Sequence, residues 1–122
     1  MAYQYRDELL DHWHHPQNKG RLESPSAKAL VSNSSCGDEI ELMVQAKDGV
    51  VTDVAFEGSG CALSTAAASM LTERIRGMRV EEVANLGEEE VLDMMGEVNP
   101  GRMKCVTLPL LAVKELMEKL SV

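Results

Sequence analysis

The chain has 122 residues, of which 44% are hydrophobic and only 3% aromatic, and it carries a formal net charge of −8. That length suits one domain with a real core, and the acidic balance argues against a nucleic-acid partner, whose phosphates select basic surfaces. No run of about 18 apolar residues is present to span a membrane, and residues 1–8 hold no apolar signal core, so the expectation is a cytoplasmic protein.

Residues 3–15 read as a helix with Leu9, Leu10 and Trp13 near one face, stopped by Pro16 ahead of the turn residues Gln17-Asn18-Lys19-Gly20. His12, His14 and His15 crowd its end, where imidazoles in solvent complement the helix dipole. Metal ligation is the lesser reading for them, because no cysteine lies nearby in sequence. Residues 21–27 form a connection, and 28–33 a first strand through Ala29, Leu30 and Val31. Beyond a Cys36-Gly37-Asp38 turn, Ile40, Leu42, Val44 and Ala46 alternate with Glu39, Glu41, Met43 and Gln45, a period-two strand with one buried face. Lys47-Asp48-Gly49 signals a hairpin turn, and Val50, Thr52, Val54 and Phe56 alternate with Val51, Asp53, Ala55 and Glu57 on the return.

Gly58-Ser59-Gly60 ends this antiparallel sheet of three strands, and Cys61 opens a helix with Leu63, Ala66, Ala67, Met70 and Leu71 as its apolar stripe. Gly77 fits its C-cap. Residues 80–85 and 88–95 read as short helices split by Gly87, with Glu88, Glu89 and Glu90 favourable at a helix start. Residues 96–101, with Asn99-Pro100 inside, read as a loop. The last helix is expected over 107–120, capped by Thr107, with Pro109 tolerable only in its first turn and Val113, Leu116, Met117 and Leu120 facing the core. No repeat or linker divides the chain, so one domain is expected over 1–122.

The chemistry concentrates around Cys36-Gly37-Asp38, a thiol and a carboxylate in a Ser/Gly turn. Cys61 and Cys105 also fall at element ends rather than on apolar stripes, where helix N-termini favour thiolate. Three cysteines without a secretion signal suit metal binding or reactivity better than disulfides. If Cys36, Asp38, Cys61 and Cys105 converge, their four negative charges require a cation, and either Zn²⁺ or a [2Fe–2S] core accepts such ligands. Arg102 and Lys104, beside Cys105, would offset part of the remaining charge. Gly37, Gly58 and Gly60 would allow close approach of a bulky ligand. The wide gaps between the cysteines match no compact zinc-finger pattern, so the residues leave two readings: a shared metal site, or three unrelated reduced thiols.

The segments Cys36-Gly37-Asp38, Gly58-Ser59-Gly60-Cys61-Ala62-Leu63-Ser64 and Arg102-Met103-Lys104-Cys105 resemble the three signatures of the iron–sulfur cluster assembly scaffold family, the IscU/SufU/NifU N-terminal proteins. Asp11-His12, Pro16, Asn18 and Gly20 match as well, so the resemblance covers nearly the whole chain. It implies an α+β fold, a three-stranded antiparallel sheet with helices packed on one side. It implies sulfur accepted from a cysteine desulfurase, with Cys36 and Cys105 as candidate persulfide acceptors. A transient [2Fe–2S] cluster would then be built on Cys36, Asp38, Cys61 and Cys105 and passed to apo-proteins, the protein acting as a monomer or as a cluster-linked homodimer. Lys104 stands where IscU-type members carry a histidine, and Asn99-Pro100-Gly101-Arg102 replaces their chaperone-recognition motif. The Arg-x-Lys-Cys run is SufU-like, which implies the alternative of a zinc-binding sulfur acceptor, a sulfurtransferase partner that relays persulfide sulfur without holding a cluster. The short spacing from Cys61 to Cys105 is IscU-like. Two other classes are weaker: a purely structural zinc domain, and a hydrolase pairing a cysteine with His12.

Overall fold

Asp48 and Gly49 both adopt positive φ, 55° and 77°. Two such residues in a row make the I′ turn whose twist matches the strands it joins, which is why Asp-Gly is favoured there. The turn joins β2 (Asp38–Lys47) to β3 (Val50–Ser59), and β1 (Ala27–Asn33) pairs with the other edge of β2. Both pairings are antiparallel. The computed structural model describes residues 7–33, 37–96, 98 and 100–120.

The register places Ala29, Leu42 and Phe56 side by side, with Ala27, Val44 and Val54 in the neighbouring row. These rows form the face covered by α2 (Ala62–Ile75) and α5 (Met103–Leu120), so the expected α+β architecture with helices on one side is what the chain adopts. Leu42, Val44, Leu71, Ile75, Leu108 and Leu116 are fully or almost fully buried between the layers. Ala66, Ala67 and Ala68 keep the middle of α2 narrow, letting it approach α5 closely.

Strict alternation fails at one point. Gln45 pairs with Asp53 but Ala46 pairs with Val51, leaving Thr52 as the extra residue of a bulge. Thr52 donates its hydroxyl to the Gln45 carbonyl at 3.1 Å. Past the bulge Val51, not Val50, is the fully buried residue, reversing the simple alternation for that end of the strand. Met43 and Ala55, cross-strand partners on the other face, are buried too, so that face is not uniformly solvated.

α1 (Asp7–His14) packs on α2; residues 3–6 of the expected helix lie outside the described residues. The strap after α1 closes the free edge of β3: Phe56 N–H donates to the Asn18 carbonyl at 2.9 Å, and Gly20 N–H to the Phe56 carbonyl at 2.8 Å. α2 ends at Ile75 with Arg76, in extended geometry, as its C-cap; Gly77, expected in that role, follows one residue later at φ 91° and donates its N–H to the Val51 carbonyl rather than back to the helix. Beyond it come α3 (Val80–Ala84) and α4 (Glu88–Met95). Gly87 caps α4, and its N–H is held by the Glu90 carboxylate at 2.7 Å.

The last helix departs from expectation. It starts at Met103, following a 3-10 turn over Pro100–Arg102, and Pro109 lies in its interior. Pro109 removes a helical donor to the Cys105 carbonyl, at a cost of about 3 kcal/mol. Burial of Val106, Leu108, Leu110, Val113 and Leu116 outweighs this, at roughly 1.5–3 kcal/mol per large aliphatic side chain. Thr107 therefore does not cap the helix; its hydroxyl donates back to the Met103 carbonyl at 2.9 Å. Among the described residues no helix is long and apolar enough to cross a membrane.

Candidate metal centre

Asp38 opens β2 on the same face as Ile40 and Leu42, so its side chain lies on the helix-covered side, 2% exposed. There Oδ1 accepts the backbone N–H of Cys61 at 2.8 Å. Cys61 is the N-cap of α2, in extended geometry (φ −73°, ψ 165°), and its own side chain makes no cap bond. A carboxylate from the sheet thus takes the role that a Glu or Gln three residues into the helix plays in a capping box, accepting the N–H of the N-cap residue, and the Cys61 sulfur is left uncommitted to capping. Gly60 makes this approach feasible. A Cβ there would sit 2.7 Å from Ser64 Oγ and 2.9 Å from Asp38 Oδ1. Ser64 is buried, donates to the Cys61 carbonyl at 3.0 Å and lies 3.8 Å from Cys61 Sγ.

Because α5 begins at Met103, Cys105 falls inside its first turn rather than just before it. It is 3% exposed and belongs to the hydrophobic core, which corrects the expectation that no thiol lies on a buried face. Cys61 is half-buried, and neither of these two cysteines forms a disulfide. One ligand atom each from Asp38, Cys61 and Cys105 lie within 4.8 Å of one another. Tetrahedral zinc or iron holds neighbouring ligand atoms roughly 3.5–4 Å apart, so the trio suits a soft cation after a small contraction. Both sulfurs sit at helix N-terminal turns, where the backbone dipoles favour negative charge.

Arg102 closes the 3-10 turn immediately before α5. Its guanidinium hydrogen-bonds Cys105 and feels the charge of Cys61, which raises its pKa above the ordinary arginine value. The expectation that cations beside Cys105 offset the charge thus has a definite agent in Arg102; both Arg102 and Lys104 are exposed. A surface cleft of about 380 Å³, lined by Trp13, Cys61, Ala62, Leu63 and Arg102, opens onto this region.

The structure brings together three of the four anticipated ligands; Cys36 lies outside the described residues. The solvent-exposed reading holds for His14 and His15 but is corrected for His12, which is 6% exposed. His12 Nδ1 shares a hydrogen bond of 2.6 Å with Ser69 Oγ, a partner far along the chain that no local pattern announces. Sequence reasoning assigned no role to Ser64, although its spacing of three from Cys61 in a helical first turn was the available signal. Trp13, expected near the apolar face of the first helix, is 40% exposed and stands beside Cys61.

Comparison with known proteins agrees with this geometry. The sequence model described as "NifU-like N terminal domain" matches residues 4–120. The chain is 36% identical to the iron–sulfur cluster assembly scaffold protein IscU of Thermotoga maritima, covering 96% of this chain and 94% of that one. It is 33% identical to the zinc-dependent sulfurtransferase SufU of Bacillus subtilis, covering 94% and 90%. Among solved structures, the N-terminal NifU-like protein of Brucella abortus superimposes with a TM-score of 0.81 at 22% identity, over 95% of this chain and 93% of that one. The putative SUF-system scaffold of Fervidobacterium islandicum superimposes with 0.78 at 26% identity, over 93% and 96%. With its sheet, its helices and its Asp38, Cys61 and Cys105 grouping in place, the chain belongs to the NifU-like N-terminal domain family.

Proposed function

We propose that this protein is an iron–sulfur cluster assembly scaffold: it takes sulfur from a cysteine desulfurase, assembles a transient [2Fe–2S] cluster as cargo, and passes it to apo-proteins. The observation carrying this reading is the meeting of a carboxylate and two thiols within 4.8 Å, drawn from three separate parts of the chain. Cys36, two residues before Asp38 in sequence, supplies the remaining thiol of the set. Relatives named as IscU scaffolds in Thermotoga maritima and Aquifex aeolicus support the same reading.

The residues divide the work by chemistry. A thiolate of this protein, with Cys36 and Cys105 as candidates, attacks the terminal sulfur of the donor's cysteine persulfide. The donor's sulfur–sulfur bond breaks, a new one forms on the acceptor, and the donor leaves as a thiolate with no net oxidation. Arg102, already paired with Cys105, faces the anionic sulfur. Asp38 is a harder ligand than thiolate, so the side of the cluster it holds is the easier one to release. Its hydrogen bond from Cys61 N–H keeps the carboxylate fixed while cargo enters and leaves.

A second reading, a zinc-binding sulfur acceptor, is favoured by the pairing of Arg102 with Cys105 and by the likeness to a SufU. In that case Cys36, Asp38, Cys61 and Cys105 would hold zinc, which as a Lewis acid keeps thiols deprotonated. The test is cluster hand-over. Protein loaded anaerobically with iron and desulfurase-derived sulfur should convert an apo-ferredoxin to its holo form. An apo-ferredoxin that gains no cluster, while the protein still accepts sulfur, leaves the zinc reading in possession.

A further inference from the structure

Trp13 is the single tryptophan of the chain, and it is left 40% exposed on a helix that buries Leu9 completely. Its position is not loose. The chain on both sides of it is laced to α2, by His12 on Ser69, by Gln17 N–H donated to the same Ser69 Oγ at 2.7 Å, and by Asn18 Nδ2 donated to Thr72 Oγ1 at 3.2 Å. The indole also stacks on the His14 ring, with centroids 5.7 Å apart and planes 6° from parallel. α1 is thereby held in a rotation that makes Trp13 one wall of the cleft containing Cys61, Ala62, Leu63 and Arg102.

That cleft gives access to Cys61. Cys61 is the half-exposed sulfur, and Cys105 is buried with Arg102 hydrogen-bonded to it. A group that brings sulfur through this opening meets an aromatic wall and a guanidinium together. A cysteine persulfide on a peptide segment fits both: its terminal sulfur is an anion suited to Arg102, and the carbon framework around it suits an indole. A rigid, exposed tryptophan beside a small polar centre is also the kind of anchor that dominates protein–protein contacts.

We propose that Trp13 is a docking residue for the persulfide-bearing segment of the sulfur donor, packing against that segment's apolar side chains while Arg102 faces the sulfur. The inference rests on the sulfur-acceptor step of the proposed function and adds the residue that recognises the donor. The test measures sulfur transfer from a purified bacterial cysteine desulfurase supplied with L-cysteine, varying the concentration of this protein, for wild type, Trp13→Ala and Trp13→Phe.

Trp13→Ala should raise KM roughly 10-fold or more while kcat stays within about twofold, and Trp13→Phe should recover most of the loss. Zinc bound per chain, and sulfur uptake from free cysteine persulfide, should equal wild type in both variants. An unchanged KM overturns the proposal. So does an equal loss with free cysteine persulfide, or a fall in zinc content, either of which would make Trp13 a support of the site itself. A wild type that takes no sulfur from the desulfurase while binding zinc overturns the sulfur-acceptor reading, and this inference with it.

Discussion

The two ends of the sheet solve the same problem with different materials. At the hairpin end, backbone closes on backbone. Val51 N–H donates to the Met78 carbonyl, Gly77 N–H to that of Val51 and Val80 N–H to that of Gly49, all at 2.8–2.9 Å, around a turn set by Asp48 and Gly49. At the other end, where β2 begins and β3 runs into α2, a side chain is added to the backbone: Gly37 N–H donates to the Asn33 carbonyl at 2.8 Å, and Asp38 Oδ1 accepts Cys61 N–H. Backbone closure is insensitive to side-chain chemistry and offers nothing to a ligand. Side-chain closure places a carboxylate and two thiols at helix starts, where they can be shared with a cation. The difference marks which end only closes the fold and which also gathers side chains that could hold a metal ion.

Removing a ligand should separate the ends most sharply. Cys61→Ser should weaken zinc binding by on the order of 100-fold or more, beyond what loss of an outer-shell partner costs, as read by competition with a metal-sensitive dye. Its far-ultraviolet dichroism should match wild type. Asp38→Ala should act on both properties. It leaves Cys61 N–H without its acceptor, costing about 1–3 kcal/mol in urea unfolding, and it weakens zinc binding in the same protein. Gly60→Ala should cost a similar 1–3 kcal/mol by overpacking, because the new methyl group meets Ser64 Oγ and Asp38 Oδ1. It should also lower metal affinity, although glycine ligates nothing.

Gly49→Ala is the matching change at the hairpin end. Forcing alanine to φ near 77° should cost about 1–2 kcal/mol and leave zinc affinity untouched. A fall in affinity there would break the comparison. The smallest effect concerns neither end. The Gly87 N–H holds the Glu90 carboxyl below the usual carboxylate range. Its contribution is therefore present above the unfolded-state pKa and lost as pH falls through the lower folded-state value. Glu90→Gln should melt slightly below wild type at neutral pH, with the gap closing in acid.

Much of this was legible because the relevant signals are local. Asp48-Gly49 declared the hairpin, Gly77 and Gly87 marked helix boundaries, and Cys61 stood where α2 begins. What escaped depended on distant partners. Pro109 suggested a helix start nearby, whereas tertiary burial carries α5 through it and draws Cys105 into the core. His12 is buried because Ser69 of α2 meets it, and Val51 faces inward because Thr52 bulges out. The site was found through residue types and a family resemblance. The role of Gly60 in admitting the Asp38 carboxylate, and the place of Trp13 at the mouth of the cleft, appear only in three dimensions.

The central claim is that Asp38, Cys61 and Cys105 form one centre that carries a cluster. Anaerobic reconstitution with iron, L-cysteine and a cysteine desulfurase, followed by ultraviolet–visible absorption, tests it most directly. Wild type should develop the sulfur-to-iron charge-transfer bands of a [2Fe–2S] cluster, and Cys61→Ser should not. A wild-type protein that accepts sulfur and binds zinc yet develops no such bands, or a Cys61→Ser variant that develops them in full, would contradict the account.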